Sequence, residues 1–314
     1  MTQTTIEPIT SKSNLYVDST DLLDQPEKLR QRAAEDGYLF FKGLLPAAEV
    51  VKVRADVLRV LDSQGWLDRS KDLMDGVVDM QAIKAVPDED MRLDIGVSHA
   101  IYHGAQKLES LHALPHHPRL LELYRTLFDS EVLVHPRHIA RIVTAHPGIV
   151  PTPIHQDFPH VQGAADTWTC WFPLGNCART MGGLTVLRGS QRNGYLAVQP
   201  APGAGGLEAL LCPWENDWVE GDFETGDVLT FQSFTVHKAL PALERDLVRI
   251  SLDVRYQSVL DPIENASLLP HTDLTWEQIY ENWESDDLKY YWREQNVTIT
   301  PFDQQYLQTG RRIC

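Results

Sequence analysis

The chain has 314 residues, 43% of them hydrophobic and 23% charged, which is ordinary for a globular protein and ample to bury a core. A formal net charge of −16 argues against a sequence-independent nucleic-acid binder, because phosphate backbones are held by clustered Lys and Arg. No apolar run reaches the length of a membrane span, and the N-terminus has neither the basic start nor the apolar stretch of a signal peptide, so a cytoplasmic protein is expected.

Residues from about 20 to 130 read as mainly helical. "QPEKLRQRAAEDG" carries helical spacing and stops at Gly37, and "YLFFKGLL" is a short apolar run fit for a strand. "PAAEVVKVRADVLRVLDSQG" starts with Pro46 in a first helical turn and repeats apolar residues at a period of about 3.6. "HPRLLELYRTLF" is a shorter amphipathic helix, entered through "PHHP". From about 131 to 258, short β-branched and aromatic runs alternate with Gly, Pro and Asn clusters, the signature of an antiparallel β domain. Strands are predicted in "RHIARIVTA", "TWTCWFPL", "GLTVLRG", "GDVLTFQ" and "VRISLDVRYQ". From 259 to 314 the chain turns polar and aromatic; "LTWEQIYENWESDDLKYYWREQ" is expected to form a helix and tail packed on the outside. The three parts are read as one domain, 1–314. Cys170, Cys177, Cys212 and Cys314 contain no C-x-x-C pair and are expected to be reduced thiols.

Two H-x-D motifs occur. In His271-Thr-Asp273, Thr and Asp precede a helical pattern, so Asp273 is expected to cap backbone N–H groups. His155-Gln-Asp157 lies between predicted strands. On a strand, residues i and i+2 share a face, so this segment aims an imidazole and a carboxylate at one point. His237, at the end of "LTFQSFTVH", offers a third ligand. Two His and one carboxylate on one side of a metal form the facial triad of non-haem Fe(II) oxygenases. In "VRISLDVRYQ" a period of two puts Ile250, Leu252, Val254 and Tyr256 on one face and Arg249, Ser251, Asp253 and Arg255 on the other. Arg249 with Ser251 is thus placed to hold a carboxylate, which a guanidinium grips bidentately.

These residues, with "TWTCWFPLGNC", "MGGLTVLRGSQRNG", "GDVLTFQSFTVH" and the opening "DGYLFFKGLLPAAEV", resemble the phytanoyl-CoA dioxygenase family of Fe(II)/2-oxoglutarate oxygenases over most of residues 30 to 258. The resemblance implies a mainly β fold with flanking helices, built on a double-stranded β-helix, or jelly roll. It implies that His155, Asp157 and His237 bind Fe(II), that Arg249 grips the distal carboxylate of 2-oxoglutarate, and that Trp171 lines the co-substrate pocket. Ser251 joins Arg249 by analogy with related oxygenases. Arg188-Gly-Ser-Gln191 replaces the family's usual turn and is expected to keep it. The implied reaction consumes 2-oxoglutarate and O₂ and hydroxylates a C–H bond of a small molecule, releasing succinate and CO₂. Related halogenases lack the carboxylate, so Asp157 favours hydroxylation.

Other readings stand beside this one. A β-barrel protein binding a small acid or metal without turnover predicts no O₂ uptake; a nucleic-acid or protein demethylase is disfavoured by the acidity. His160 is a rival ligand but is expected to line the pocket. Arg255 rivals Arg249 as the clamp. His99 and His103 have metal-binding i, i+4 spacing but no HExxH and no evident carboxylate partner, so a helix surface or substrate wall is expected. The substrate pocket is expected from residues 68–110, the His160 loop and the insertion at 199–218. No basic cluster suited to a CoA phosphate stands out, which points to a small metabolite.

Overall fold

The computed structural model describes residues 14–144, 146–212, 217–244 and 246–310. The N-terminal part contains β1 (Asn14–Leu15), α1 (Pro26–Asp36), β2 (Tyr38–Phe41), α2 (Ala47–Ser63), α3 (Met80–Lys84), the β3–β4 pair (Met91–Arg92, Val97–Ser98), α4 (His99–Gln106), α5 (Glu109–Ala113) and α6 (Pro118–Phe128). The β-rich part follows with β5 (Val132–Val134), β6 (Ile139–Val143), α7 (Phe158–Val161), β7 (Trp168–Pro173), β8 (Leu184–Leu187), β9 (Val198–Pro200), β10 (Leu207–Ala209), β11 (Trp218–Glu220), β12 (Val228–Gln232), β13 (His237–Ala239) and β14 (Arg249–Ser258). Last come β15 (Ile263–Glu264), α8 (Trp276–Ile279) and β16 (Ile299–Thr300).

Two sheets form the core. The larger runs β2-β12-β7-β14, with both β5 and β6 on the far side of β14; the smaller runs β1-β11-β8-β13. Their facing sides pack Tyr38, Phe40, Trp171, Val186, Val219 and Phe231 together. The architecture is therefore mainly β with flanking helices and a jelly-roll core, as two facing sheets rather than a closed barrel.

β14 shows how the sequence period positions the site. Ile250, Leu252, Val254 and Tyr256 join the core shared with the helices, next to Val57, Leu120 and Tyr124. Each such side chain contributes about 1.5–3 kcal/mol of burial. Arg249, Asp253 and Arg255 point the other way, into the space between the sheets. That half of the strand is buried too, so its polar groups need partners.

α1 ends as expected at Gly37, whose φ of 75° suits only glycine comfortably, and a Cβ there would fall 2.1 Å from the Gln191 side chain. The Arg188–Gln191 turn is kept: Gly189 has φ 73°, and Ser190 Oγ accepts from the Val236 N–H at 2.8 Å, next to His237.

Some expectations are corrected. Pro46 is the extended N-cap of α2, not part of its first turn. The C-terminal segment is not a long helix. α8 has four residues, and further on Glu284 N–H and Ser285 N–H donate to the Glu109 carboxylate at 2.7 and 3.1 Å. Its aromatic residues, Trp276, Tyr280, Trp283 and Trp292, cluster with Leu133, so packing shapes it more than helix propensity does. Asp273 does not cap α8; Thr275 does, in a capping box with Gln278. Cys170 and Cys177 are buried free thiols, but Cys212 is disulfide-bonded, a pairing that spacing does not reveal. Cys314 lies outside the described residues. Among the described residues no helix is long and apolar enough to cross a membrane.

Candidate active site

His155 and His237 meet through an isolated antiparallel bridge, with His155 N–H donating to His237 O and His237 N–H to His155 O, both at 2.9 Å. Residues 155–157 do not form the strand expected of them. Asp157 has helical φ and ψ (−72°, −31°) at the entry to α7. The two side chains converge nonetheless, because Gln156 between them is tied elsewhere. Its amide nitrogen donates to Gly194 O (2.8 Å) and Phe234 O (2.7 Å), and its oxygen accepts from Leu196 N–H (2.8 Å). Asp157 Oδ1 lies 3.7 Å from His155 Nε2 and 3.8 Å from His237 Nε2. One ligand atom from each of the three residues lies within 4.8 Å of the others.

The protonation states suit a metal. His155 Nδ1 donates to Pro153 O at 2.8 Å and His237 Nδ1 to Thr235 O at 3.1 Å, which leaves each Nε2 lone pair free toward the shared space. Burial lowers both imidazoles below their usual pKa, His155 the more so because His237 is beside it, so both are neutral at pH 7. Burial alone would raise the Asp157 carboxyl, but the Arg255 guanidinium and the two imidazoles hold it well below the usual carboxylate range. Arg255 Nη2 donates to Asp157 Oδ2 at 3.1 Å, and Thr169 Oγ1 donates to the same oxygen. That leaves Oδ1 turned toward the imidazoles. Two neutral nitrogens and one buried carboxylate oxygen are a donor set that fits Fe(II).

Arg249 begins β14 and is buried; its Nη1 donates to Ser251 Oγ, and its Cζ lies 5.8 Å from the Trp171 ring centroid. Its Nε is buried with no hydrogen-bond partner, and among the described residues no carboxylate forms an ion pair with it. Burial lowers the pKa of this guanidinium, so the site rewards an incoming anion. The same cavity wall carries His155, Asp157, His237, Trp171 and Arg249.

The rival Arg255 is thus engaged with Asp157. Neither its partnership nor that of Thr169 is readable from the sequence; the period-two face of β14 is the available signal for Arg255. His160 lines the neighbouring cavity and does not join the triad. His99 and His103 do have a carboxylate partner: His103 Nε2 lies 2.6 Å from Asp273 Oδ1, and the three ligand atoms cluster. His99 and Asp273 are exposed, so water competes there in a way it does not around Asp157.

A cavity of about 270 Å³ opens on the His155–Asp157 side; Asp94, His160, Ala204 and Gly205 line it, as expected for residues 68–110, the His160 loop and the 199–218 insertion. Unforeseen is the other wall, from Glu264 to His271. A second, mostly apolar cavity of about 460 Å³ shares Asp94, Arg141 and Thr152 with it.

The 1-deoxypentalenic acid 11-beta-hydroxylases of Streptomyces arenae and Streptomyces exfoliatus are each 27% identical to the chain, over 265 and 256 residues; each match covers 77% of this chain and 84% of the relative. Among solved structures, the epimerase SnoN, crystallised with Fe3+, alpha ketoglutarate and nogalamycin RO, superposes with a TM-score of 0.53 at 21% identity over 76% of this chain and 85% of its own. The non-heme monooxygenase ThoJ does so at 0.52 and 18% identity, covering 81% and 92%. At that identity these likenesses speak for the fold. The family model described as Phytanoyl-CoA dioxygenase (PhyH) matches residues 33–244, a stretch that contains the HQD segment, the turn and His237, and the chain belongs to that family.

Proposed function

We propose that this chain, acting as one oxygenase domain, is an Fe(II)/2-oxoglutarate-dependent dioxygenase that hydroxylates a C–H bond of a small-molecule metabolite. His155, Asp157 and His237 hold the iron; Arg249, with Ser251, holds the distal carboxylate of 2-oxoglutarate, beside Trp171. The observation that carries this reading is the buried convergence of two neutral imidazoles and one aspartate next to a guanidinium that no carboxylate among the described residues neutralises.

Bound iron supplies the oxidative chemistry, in which 2-oxoglutarate and O₂ give succinate, CO₂ and a hydroxylated product. The chain's own residues set the conditions. Pro153 O and Thr235 O fix the imidazole tautomers. Arg255 and Thr169 hold Asp157 ionised and oriented. Burial keeps Asp157, His237 and Arg249 largely out of bulk water, which strengthens their interactions with a bound charge. Because a carboxylate completes the triad, hydroxylation is favoured over halogen transfer. The hydroxylase relatives act, by name, on a small carboxylic acid, which supports a small-molecule substrate.

With Fe(II), 2-oxoglutarate and O₂, the wild-type protein is expected to form succinate. Asp157→Ala and His237→Ala should not, and Arg249→Gln should raise the KM for 2-oxoglutarate on the order of 100-fold. Succinate formation unchanged in both triad variants would reject the assignment.

A further inference from the structure

The cavity beside the triad has a charge balance that its own residues do not close. Four of its charged groups, Arg141, Arg255, Asp157 and Asp94, are paired. Arg141 Nε meets Asp253 at 3.0 Å, Arg255 meets Asp157 at 3.1 Å, and Asp94 is held by Arg92 at 2.8 Å. Two are left. Arg137 donates only to main-chain oxygens, Leu269 O at 3.3 Å and Pro270 O at 2.6 Å, and no carboxylate among the described residues lies within ion-pair distance of it. Glu264 is fully buried; its Oε1 accepts from Ala266 N–H at 2.9 Å, while Oε2 is buried with no partner. Both residues line the cavity that His155 and Asp157 also line.

A buried carboxylate oxygen without a donor and a half-buried guanidinium without an anion each cost free energy. Burial lowers the Arg137 pKa, with Glu264 acting against that shift from a distance. A ligand that supplies an anion to one and a donor to the other relieves both. The cavity's volume of about 270 Å³ falls at the lower edge of ordinary ligand pockets, which are roughly 300–1,000 Å³, so it suits a compact molecule.

We propose that the substrate is a small acid whose anionic group pairs with Arg137 and whose hydroxyl or amine donates to Glu264, next to the C–H bond presented to the iron site. The proposal rests on the oxygenase reading above and adds the substrate class. It also accounts for the segment after residue 258, since Glu264, and the carbonyls of Leu269 and Pro270 that hold Arg137 in place, all come from it.

The test uses the full chain with Fe(II) and 2-oxoglutarate, and screens low-mass hydroxy and amino carboxylic acids, each beside its methyl ester and beside the plain acid lacking the hydroxyl or amine. Succinate formed by the wild-type protein with no acid present reports the oxygenase reading separately. Acids are expected to stimulate succinate formation and their esters not. Arg137→Gln should raise KM for the stimulating acid on the order of 100-fold, with part recovered in Arg137→Lys. Glu264→Gln keeps an oxygen for Ala266 and should raise KM roughly tenfold for hydroxy or amino acids while leaving the plain acids unchanged. This second variant carries the test if loss of Arg137 unseats the segment. Esters as active as acids, no acid acting above the substrate-free rate, or an unchanged KM in Glu264→Gln would each overturn the proposal.

Discussion

The β-rich part from 131 to 258 and the segment from 259 to 310 wall the same cavity but are held by different forces. In the first, strand register does the placing: β14 pairs with β5, β6 and β7 along its length, and the His155–His237 bridge locks two imidazoles together by main-chain bonds. In the second, strand pairing is reduced to two residues each of β15 and β16 and one bridge between Thr309 and Val198. What seats it is aromatic packing, with Trp276 Nε1 donating to Leu268 O (2.9 Å), Trp283 Nε1 to Lys107 O (3.1 Å) and Tyr291 Oη to Val134 O (2.8 Å). The family match, residues 33–244, stops before this segment. The candidate triad thus sits wholly in the first stretch, while the second supplies Glu264 and the carbonyls that hold Arg137. A metal site needs distances fixed to fractions of an ångström, which paired strands supply. A substrate wall can be exchanged without disturbing them.

The lesion that goes straight to the metal site lies on the strand side. Arg255→Ala leaves the Asp157 carboxylate buried without its guanidinium. Its pKa should rise and Fe(II) affinity should fall about 10–100-fold, read by anaerobic Fe(II) titration. An affinity within about twofold of wild type would break the claim that the larger sheet holds the metal ligand through this pair.

Acid separates the regions next. His112 and His116 are pulled down to about 4, and His138 well below its usual value, in each case chiefly by burial. All three lie under the segment: the ring of His112 is 5.2 Å from that of Trp283, His116 is 4.5 Å from Tyr291, and His138 Nδ1 is 3.1 Å from His112 Nδ1. Neutral in the fold, they take up protons on unfolding. Stability is therefore full above pH about 6.5 and is lost as pH falls toward 4, by on the order of 3 kcal/mol for each of His112 and His116. Melting followed by tryptophan fluorescence should show Tm dropping steeply between pH 6.5 and 4.5, with the aromatic segment leading. A Tm flat over that range would sink the prediction.

The two regions are also unequally legible. In the β-rich part, alternation along 249–256 is enough to assign both faces of β14, and the order His155, Asp157, His237, Arg249, read with the family resemblance, names four residues that line one cavity, because period and order survive whatever the loops do. The local form of 155–157 defeats the expectation of a strand, since one bridge residue and a helical turn leave no period to read. Thr169 and Arg255 escape notice as partners of Asp157 because cross-strand neighbours depend on register, which lies outside any one segment. After residue 258 the aromatic spacing suggests a helix. Those rings instead contact α5, β5 and one another over long sequence separations, and the carboxylate that stops the chain at Glu284 sits 175 residues away. The pairing of His103 with Asp273 is hidden for the same reason, the two being 170 residues apart.

The smallest effect sharpens the comparison most, because it touches the segment without touching a ring. Glu109 offers one carboxylate oxygen to Glu284 N–H and the other to Ser285 N–H. Glu109→Ala leaves two main-chain donors to water and should cost about 1 kcal/mol, as loss of a helix cap does, with Glu109→Gln costing less because one acceptor remains. Proteolysis near residues 284–289 should rise by several-fold at pH 7, since the local opening becomes cheaper by that amount. Fe(II) affinity should not change, because no bond in the triad passes through α5. If it falls along with the rise in cleavage, the strands and the segment form one cooperative unit, and the independence of the triad from the segment drawn from their packing is wrong.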